Sequence, residues 1–218
     1  MSEFKSSTNT HNYFRGGRRV GVNFQKQTDE IVLRLSKERP SLLLQCCCGP
    51  CSSYVLEYLC KHFAVTGLFY NPNIFPEEEH LRRLRSWREC VEKTPGIVSV
   101  LDCDYEQERF HELSRGFENE PEGGERCVRC FELRLRETAL RAKTGGFDWF
   151  CSTLSVSPHK DAERINALGI EIEREFGVKW LPSDFKKKEG YKRSIELSQK
   201  YGLYRQEYCG CKFSSRER

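Results

Sequence analysis

The sequence predicts an α/β domain whose mostly parallel sheet is flanked by helices. Short apolar runs suited to buried strands alternate along the chain with longer segments in which apolar residues recur at helical spacing. This alternation implies right-handed crossovers and a sheet that is covered on both faces. The length of 218 residues and a hydrophobic content of 38% fit one domain with one core.

The first half of the domain alternates helices with three strand candidates. Helical spacing begins at Thr28 and ends at Pro40, whose ring cannot continue a helix. The run 41–47 is predicted as the first strand, and Gly49 and Pro50 interrupt it. The elements predicted next are a helix over 51–63, a strand over 64–71, a helix from 76 to about 93 and a strand over 97–101.

The second half of the domain continues the alternation. Two helices are predicted near 104–116 and 128–143, with a glycine-rich, acidic segment between them. The remaining elements are a strand candidate over 147–154, a helix over 158–176, a short apolar run at 178–181 and a helix over 188–201. In folds of this kind the ligand lies beyond the carboxyl ends of the strands, which is where the turn after the first strand is expected.

The chain ends differ from this pattern, and the sequence as a whole favours the cytoplasm. Residues 1–26 are polar and aperiodic, so we predict a flexible basic tail before a single α/β catalytic domain over 27–218. No apolar stretch of about 18 residues and no signal-peptide core occurs, which indicates neither a membrane partner nor secretion. A net charge of +4 is compatible with a polyanionic partner without requiring one.

Twelve cysteines are the most informative feature of the composition. In a reducing cytosol, clustered cysteines bind metal or carry out redox chemistry more often than they form structural disulfides. The clustered ones are Cys46, Cys47, Cys48, Cys51, a C-x-x-C pair at Cys127 and Cys130, and a C-x-C pair at Cys209 and Cys211. The scattered ones, interpreted as small buried hydrophobes, are Cys60, Cys90, Cys103 and Cys151.

The turn Cys46–Cys51 joins the first strand to the following helix. Free N–H groups and a partial positive charge at a helix N-terminus stabilise thiolates, which are the form that ligates metals and acts as a nucleophile. Neighbouring strand residues face opposite ways, so three consecutive cysteines do not fit a plain core. Cys46 is the candidate for a cysteine that is merely buried.

The two other clusters supply further sulfurs. A C-x-x-C at a helix start, as at Cys127 and Cys130, places two sulfurs on one metal or cluster, and it also suits a redox disulfide or half a zinc site. With two sulfurs from the first turn it gives four thiolates, enough for a [4Fe–4S] cluster or a structural zinc. Cys209 and Cys211, separated by glycine, can close a small exchangeable disulfide ring. The alternatives for this pair are reduced surface thiols or further metal ligands.

Several charged residues are weaker candidates. Asp104 follows the third strand and is a candidate to face the site and donate a proton, with a simple cap or solvated carboxylate as the alternative. His159 is a candidate proton donor or a structural histidine. Cations near aromatic residues suit phosphates and unstacked bases, although a charge run is usually a solvated face. These cations are Lys186, Lys187, Lys188 and Arg205. The run Arg82, Arg83, Arg85 and Arg88 is interpreted as a solvated helix face.

Six segments between about 41 and 214 together resemble the epoxyqueuosine reductase family of the QueH type. They are CCGPCS, YNPNI, RCVRCF with the RL and TA that follow, STL to Lys160, DFKKKEGYKRSIELS and LYRQEYCGC. The resemblance implies reduction of epoxyqueuosine to queuosine at the wobble position of tRNA, the last step of queuosine biosynthesis. It also implies a HUP-like (adenine nucleotide alpha-hydrolase-like) fold. In those nucleotide-binding relatives the first turn is Gly/Ser-rich and holds phosphate, so cysteines there argue against ATP pyrophosphatase chemistry.

The resemblance also implies roles for individual residues. Cys47, Cys48, Cys127 and Cys130 match the ligands of a [4Fe–4S] cluster, and Cys209 and Cys211 match a redox-active disulfide. A second, mononuclear metal ion near the cluster is a family feature, for which Cys51 and Asp104 are ligand candidates. The implied partners are tRNA carrying epoxyqueuosine and an unidentified electron donor. The chain departs from the common pattern at Gly49, where alanine is frequent, and at the extra Cys46.

Two other functions remain open from the residues alone. One is a zinc-stabilised RNA-binding module without catalysis, because four thiolates do not by themselves distinguish zinc from iron. The other is a thiol–disulfide oxidoreductase that acts on proteins and needs no metal.

Overall fold

The domain has the predicted α/β architecture. The computed structural model describes residues 22–35, 38–96 and 98–214. Within these ranges five parallel strands form one sheet in the order β3-β2-β1-β4-β5, consistent with a HUP-like fold. The strands are β1 (Ser41–Gln45), β2 (Ala64–Leu68), β3 (Ser99–Leu101), β4 (Trp149–Ser152) and β5 (Lys179–Trp180). The helices are α1 (Phe24–Leu35), α2 (Gly49–Leu59), α3 (Glu77–Lys93), α4 (Gln107–Ser114), α5 (Glu125–Thr144), α6 (Ala162–Phe176) and α7 (Gly190–Tyr201).

The strand order creates a crevice beside β1. The chain runs outward from β1 through β2 to β3 and then returns to place β4 on the other side of β1. On one side of the domain α2 packs against α3 and α7, whereas α5 packs against α6. Because the strand order reverses between β1 and β4, their carboxyl ends form the crevice in which such folds bind ligands.

Alternation along β1 separates the first two cysteines of the turn. Leu44 and Cys46 belong to a buried cluster that includes residues of α2, whereas Leu43 belongs to a second cluster that includes residues of α5. Cys47 packs against this second cluster. Cys46 and Cys47 therefore face opposite sides of the sheet, as the period of two requires. Cys46 is fully buried, which confirms it as a core residue.

The first helix begins earlier than predicted. Residues 24–26 belong to α1, although the sequence placed them in the tail. The reason is a side-chain cap, because the Lys26 N–H donates to the Asn23 side-chain oxygen at 3.0 Å, and Phe24 is buried. The predicted tail up to residue 21 lies outside the described residues.

Other boundaries shift by a few residues. The apolar run at 178–181 contains the short strand β5, and α6 begins at Ala162 because Asp161 accepts hydrogen bonds from two N–H groups of its first turn. The scattered cysteines behave largely as predicted, since Cys103 is half-buried and the others are buried, namely Cys60, Cys90 and Cys151. No helix in the described part of the chain is long and apolar enough to cross a membrane.

We expect Cys46→Ala to lower the free energy of unfolding by about 1 kcal/mol, because it removes one buried heavy atom from a packed core. Urea unfolding followed by circular dichroism measures this loss. The control is Cys103→Ala at a half-buried position, where the loss should be smaller. A larger loss for Cys103→Ala than for Cys46→Ala would contradict the assignment of Cys46 to the core.

Candidate functional site

A buried hydrogen-bond network joins the carboxyl ends of the three central strands. Gln45 at the end of β1 donates to the Tyr70 carbonyl beyond β2 at 3.0 Å and accepts from the Ser152 hydroxyl of β4 at 2.8 Å. The Asn71 side chain donates to the Cys46 carbonyl at 2.9 Å. Gln45, Asn71 and Ser152 are each at most 2% exposed, so the network is shielded from water and fixes where the cysteine turn begins.

The turn holds three sulfurs close together at the start of α2. The Cys47 N–H donates to the Thr153 hydroxyl at 3.1 Å, and that hydroxyl in turn donates to the Cys47 sulfur at 3.3 Å. Cys48 is the N-cap of α2, and its sulfur accepts from the Cys51 N–H at 3.4 Å. The sulfurs of Cys47 and Cys48 lie 3.8 Å apart, and all three sulfurs lie within 4.8 Å of one another.

Hydrogen bonds among the three thiols make them unequal in acidity. Hydrogen bonds from Cys48 and Cys51 hold the pKa of Cys47 well below its usual value. The same bond to Cys47 raises the pKa of Cys48 to about 12, and that of Cys51 also lies well above its usual value because it bonds to Cys47. Cys47 is therefore the most acidic thiol of the group, and a metal ion bound here would displace the thiol protons.

The C-x-x-C pair lies in the first turns of α5. Cys127 and Cys130, three residues apart, share a helix face, and each is 7% exposed. The Cys127 sulfur accepts from the Gly123 N–H at 3.3 Å, and burial raises the pKa of Cys130 to about 11. Cys127 belongs to the same buried cluster against which Cys47 packs, so the two cysteine motifs border one apolar region.

Arg134 connects α5 to the cysteine turn. Its guanidinium donates to the Asn71 side-chain oxygen at 2.7 Å, and the residue is 4% exposed. Its charge acts together with the thiol hydrogen bonds to lower the pKa of Cys47, and it opposes the burial that raises the pKa of Cys130. Arg134 therefore joins α5 to Asn71, which in turn holds the backbone at the start of the cysteine turn.

The C-x-C pair lies beside the C-x-x-C pair. Cys209 and Cys211 are free thiols, and Cys211 shares a small buried cluster with Cys130. A hydrogen bond from Cys211 holds the pKa of Cys209 well below its usual value, and the charge of Lys160 acts in the same direction. The Lys160 ammonium lies 3.6 Å from the Cys209 sulfur and pairs with Glu122 at 2.9 Å.

Arg83 binds the backbone of the segment 209–211, which we call the C-x-C hairpin. The prediction that Arg83 lies on a solvated helix face was therefore wrong. Arg83 is 2% exposed and donates to the Cys209 carbonyl at 2.8 Å. Glu79, one turn earlier on α3, accepts from it at 2.6 Å, which compensates its charge and permits burial. Gly210 has φ +100°, and a Cβ there would lie 2.6 Å from an Arg83 nitrogen. The other arginines of the run are exposed as predicted, namely Arg82, Arg85 and Arg88.

A cleft of about 390 Å³ lies at the carboxyl ends of the strands, and its lining includes Cys47 and Cys209 but neither Cys127 nor Cys130. The predicted site residues that line it are Cys47, Cys51, His159, Arg205 and Cys209. The structure does not bring Asp104 to the cleft, because β3 is the edge strand and the side chain that follows it is exposed. An adjoining cleft shares Lys160 and is lined by Lys186 and Lys187, while Lys188 pairs with Asp29 on α1.

Three basic residues of the site carry no role in the sequence prediction: Arg83, Arg134 and Lys160. A pattern was available for two of them. Arg83 follows Glu79 by four residues, which suits an internal ion pair, and Arg134 follows Cys127 by seven, which places both on one helix face. No comparable pattern identifies Lys160, since its ion pair with Glu122 joins residues far apart in sequence.

Most of the chain is similar to known proteins of one family. The family described as "Epoxyqueuosine reductase QueH" matches residues 42–217. A protein named epoxyqueuosine reductase QueH from Streptococcus pyogenes serotype M1 is 42% identical over 201 residues, which cover 89% of this chain and 79% of the relative. A protein of the same name from Staphylococcus epidermidis is 42% identical, and the match covers 89% of this chain and 85% of the relative. Another from Acinetobacter baylyi is 38% identical, and the match covers 86% of each.

We expect Gly210→Ala to displace the C-x-C hairpin, because the added Cβ meets the Arg83 guanidinium at a backbone conformation that side chains rarely adopt. Alkylation by iodoacetamide, mapped by mass spectrometry, should show faster labelling of Cys209 and Cys211. The matched control is Gly177→Ala, which has φ +75° but no atom within 4 Å of the added Cβ. Both changes should cost roughly 1–3 kcal/mol of stability. Equal labelling of the two variants would show that Arg83 does not hold the hairpin.

Proposed function

The chain belongs to the epoxyqueuosine reductase QueH family, and on that premise we propose that it reduces epoxyqueuosine to queuosine at the wobble position of tRNA. This is the last step of queuosine biosynthesis, and we assign the enzyme to the cytoplasm on that basis. The observation that carries the proposal is the family match over residues 42–217, which includes all eight clustered cysteines. The proposal is supported by a cleft that Cys47 and Cys209 both line, and by the packing of the C-x-x-C pair beside both other cysteine motifs.

The reaction sets what the site must supply. The epoxide oxygen of the substrate leaves as water and an alkene remains, which consumes two electrons and two protons. A single [4Fe–4S] cluster transfers one electron at a time, so a second store of electrons is needed. The site therefore needs a metal centre, a two-electron store and a route for protons.

We propose that Cys47, Cys48, Cys127 and Cys130 hold a [4Fe–4S] cluster. The donor set fits, because all four are free thiols, of which Cys47 is half-buried and the other three are buried, and the positive charge of Arg134 on α5 suits an anionic centre. When bound, the cluster would supply single electrons, and a separate metal ion with an open position would polarise the epoxide oxygen. Cys51 remains a candidate ligand of a second, mononuclear metal ion, and its sulfur lies with those of Cys47 and Cys48.

Cys209 and Cys211 are proposed as the two-electron store. Oxidation of the two thiols to a disulfide releases two electrons and two protons, which balances the reduction of the epoxide. The depressed pKa of Cys209, caused first by the hydrogen bond from Cys211 and then by Lys160, supports its role as the reactive thiolate. An electron donor that is not identified would regenerate the dithiol.

His159 is the proposed proton donor to the leaving oxygen. It is exposed and lines the cleft, whereas the other candidate, Asp104, lies away from it. This difference favours His159 over Asp104 for a proton transfer that requires close approach.

The basic rim of the cleft is proposed to bind the anticodon loop. The wobble base lies in a single-stranded loop, so it can enter a pocket without breaking a duplex. Arg205 lies over the Tyr191 ring at 5.5 Å on the rim of the cleft, an arrangement that suits a phosphate or a stacked base. Lys187 is exposed in the adjoining cleft, while Lys186 and Lys188 have carboxylate partners in Asp184 and Asp29 that a phosphate would have to replace.

A zinc-stabilised RNA-binding module without catalysis is the competing function, and the spacing of two sulfurs favours it. Zn–S bonds of about 2.3 Å in a tetrahedral site place sulfurs about 3.8 Å apart, and the sulfurs of Cys47 and Cys48 have that spacing. A thiol–disulfide oxidoreductase that acts on proteins would in contrast use Cys209 and Cys211 without metal and without tRNA. Metal analysis and tRNA dependence separate both from the proposed reductase.

The proposed function is tested by anaerobic incubation of the purified protein with tRNA carrying epoxyqueuosine and a reductant, followed by mass spectrometry of the nucleosides. We expect queuosine to form, iron and sulfide to be present, and Cys127→Ser to lose both the brown chromophore and the activity. Cys103→Ser serves as the control, because Cys103 is not a proposed ligand. Protein that contains zinc, lacks a chromophore and leaves epoxyqueuosine unchanged would refute the proposal.

We expect Cys209→Ser to keep the chromophore but to stop multiple turnover, because the dithiol can no longer store two electrons. Product formed per enzyme under excess tRNA measures this effect, with the absorbance of the cluster as the control for correct assembly. Turnover equal to that of the unmodified protein would refute the dithiol role.

A further inference from the structure

Arg134 is a buried cation with incomplete compensation. Only 4% of the residue is exposed, and its guanidinium donates a hydrogen bond to the neutral amide oxygen of Asn71 at 2.7 Å. Its Nε is buried and has no hydrogen-bond partner among residues 22–35, 38–96 and 98–214. Burying a charge without a counter-charge is costly, so a group that supplies negative charge is expected beside it.

The other buried arginines of the site have more hydrogen-bond partners. Arg83 is paired with the carboxylate of Glu79, and Arg126 donates to the carbonyls of Phe117 and Glu118. Within the described part of the chain, neither Arg126 nor Arg134 has a carboxylate within ion-pair distance, and the Nε of each is buried without a hydrogen-bond partner. Arg134 differs from Arg126 in its place, because it lines the cleft together with Cys47.

The sulfurs are the source of negative charge that Arg134 faces. Its side chain lines the cleft together with Cys47, and Cys130 lies one turn before it on the same face of α5. One of these residues lies on the turn after β1 and the other on α5. A metal centre held by both motifs would therefore bring anionic thiolates from each motif near the Arg134 guanidinium.

We infer that Arg134 is the counter-charge of the sulfur centre and raises its reduction potential. This inference rests on the proposed iron–sulfur cluster. When a reductant such as dithionite donates one electron, the centre gains one negative charge, and no bond to Arg134 forms or breaks. A fixed cation stabilises the more negative, reduced form more than the oxidised form, and the effect is large where water is excluded. Arg134 is thus a positioning residue that acts through charge.

The test is an anaerobic redox titration of the cluster-loaded protein, followed by the electron paramagnetic resonance signal of the reduced cluster. We expect Arg134→Met to shift the midpoint potential to a more negative value. Arg134→Lys, which keeps the charge, should stay closer to the unmodified protein. The matched control is Arg136→Met on the same helix, because Arg136 is 40% exposed and paired with Glu132 and Glu175, and it should cause no shift.

Two further measurements separate the outcomes. If Arg134→Met holds a full complement of iron and sulfide but has the potential of the unmodified protein, the inference about Arg134 is wrong while the proposed function stands. If the unmodified protein contains zinc and no sulfide, the proposed cluster itself fails. In metal-free protein Arg134→Met should not lower the midpoint of thermal unfolding, because a buried cation with one neutral partner is replaced by an apolar side chain of similar length. A large decrease there would indicate a structural role instead.

Discussion

The site depends on the hydrogen-bond network that ties the carboxyl ends of β1, β2 and β4 together. Gln45, Asn71 and Ser152 are buried polar groups whose bonds are made to one another and to the backbone at the start of the cysteine turn. Asn71 also accepts from Arg134, so the same network sets the distance between β1 and α5. A shift of one strand end would break several of these bonds at once, and buried amides are costly to leave unpaired. The network therefore keeps the strand ends, and the turn that carries the sulfurs, in fixed positions.

The C-x-C hairpin is held in a way that leaves its sulfurs free to react. Arg83 binds the carbonyl of Cys209 rather than its side chain, and Gly210 gives the guanidinium room to approach the backbone. Opening or closing an S–S bond changes the side chains and need not disturb this anchor. Since Cys211 packs with Cys130, the proposed two-electron thiol pair lies next to the proposed one-electron centre.

The sequence predicted the sheet and its cysteine motifs well because both depend on local patterns. Alternation of strands and helices identified the fold, and the period of two along β1 separated Cys46 from Cys47. The sequence did not predict that Arg83 is buried, because a run of arginines normally faces solvent. Arg83 is buried because α3 lies beside the C-x-C hairpin, which no local pattern indicates. Asp104 failed to reach the cleft for a similar reason, since strand order, which places β3 at the edge, is a property of the whole sheet.

The same place in the fold suits phosphate in the nucleotide-binding proteins of this architecture and thiolates here, because both ligands are anionic. The N-terminus of α2 offers N–H groups and a partial positive charge, and Cys48 uses its sulfur as the cap. Where a phosphate brings its own charge from outside, the thiolate charge is created inside the protein and must be balanced there. The helix terminus acts on the turn from one side, and Arg134 acts from the side of α5. On the proposed function, the cysteines that replace glycine and serine in the turn would therefore act together with the fixed cation on the neighbouring helix, which belongs to the same electrostatic balance.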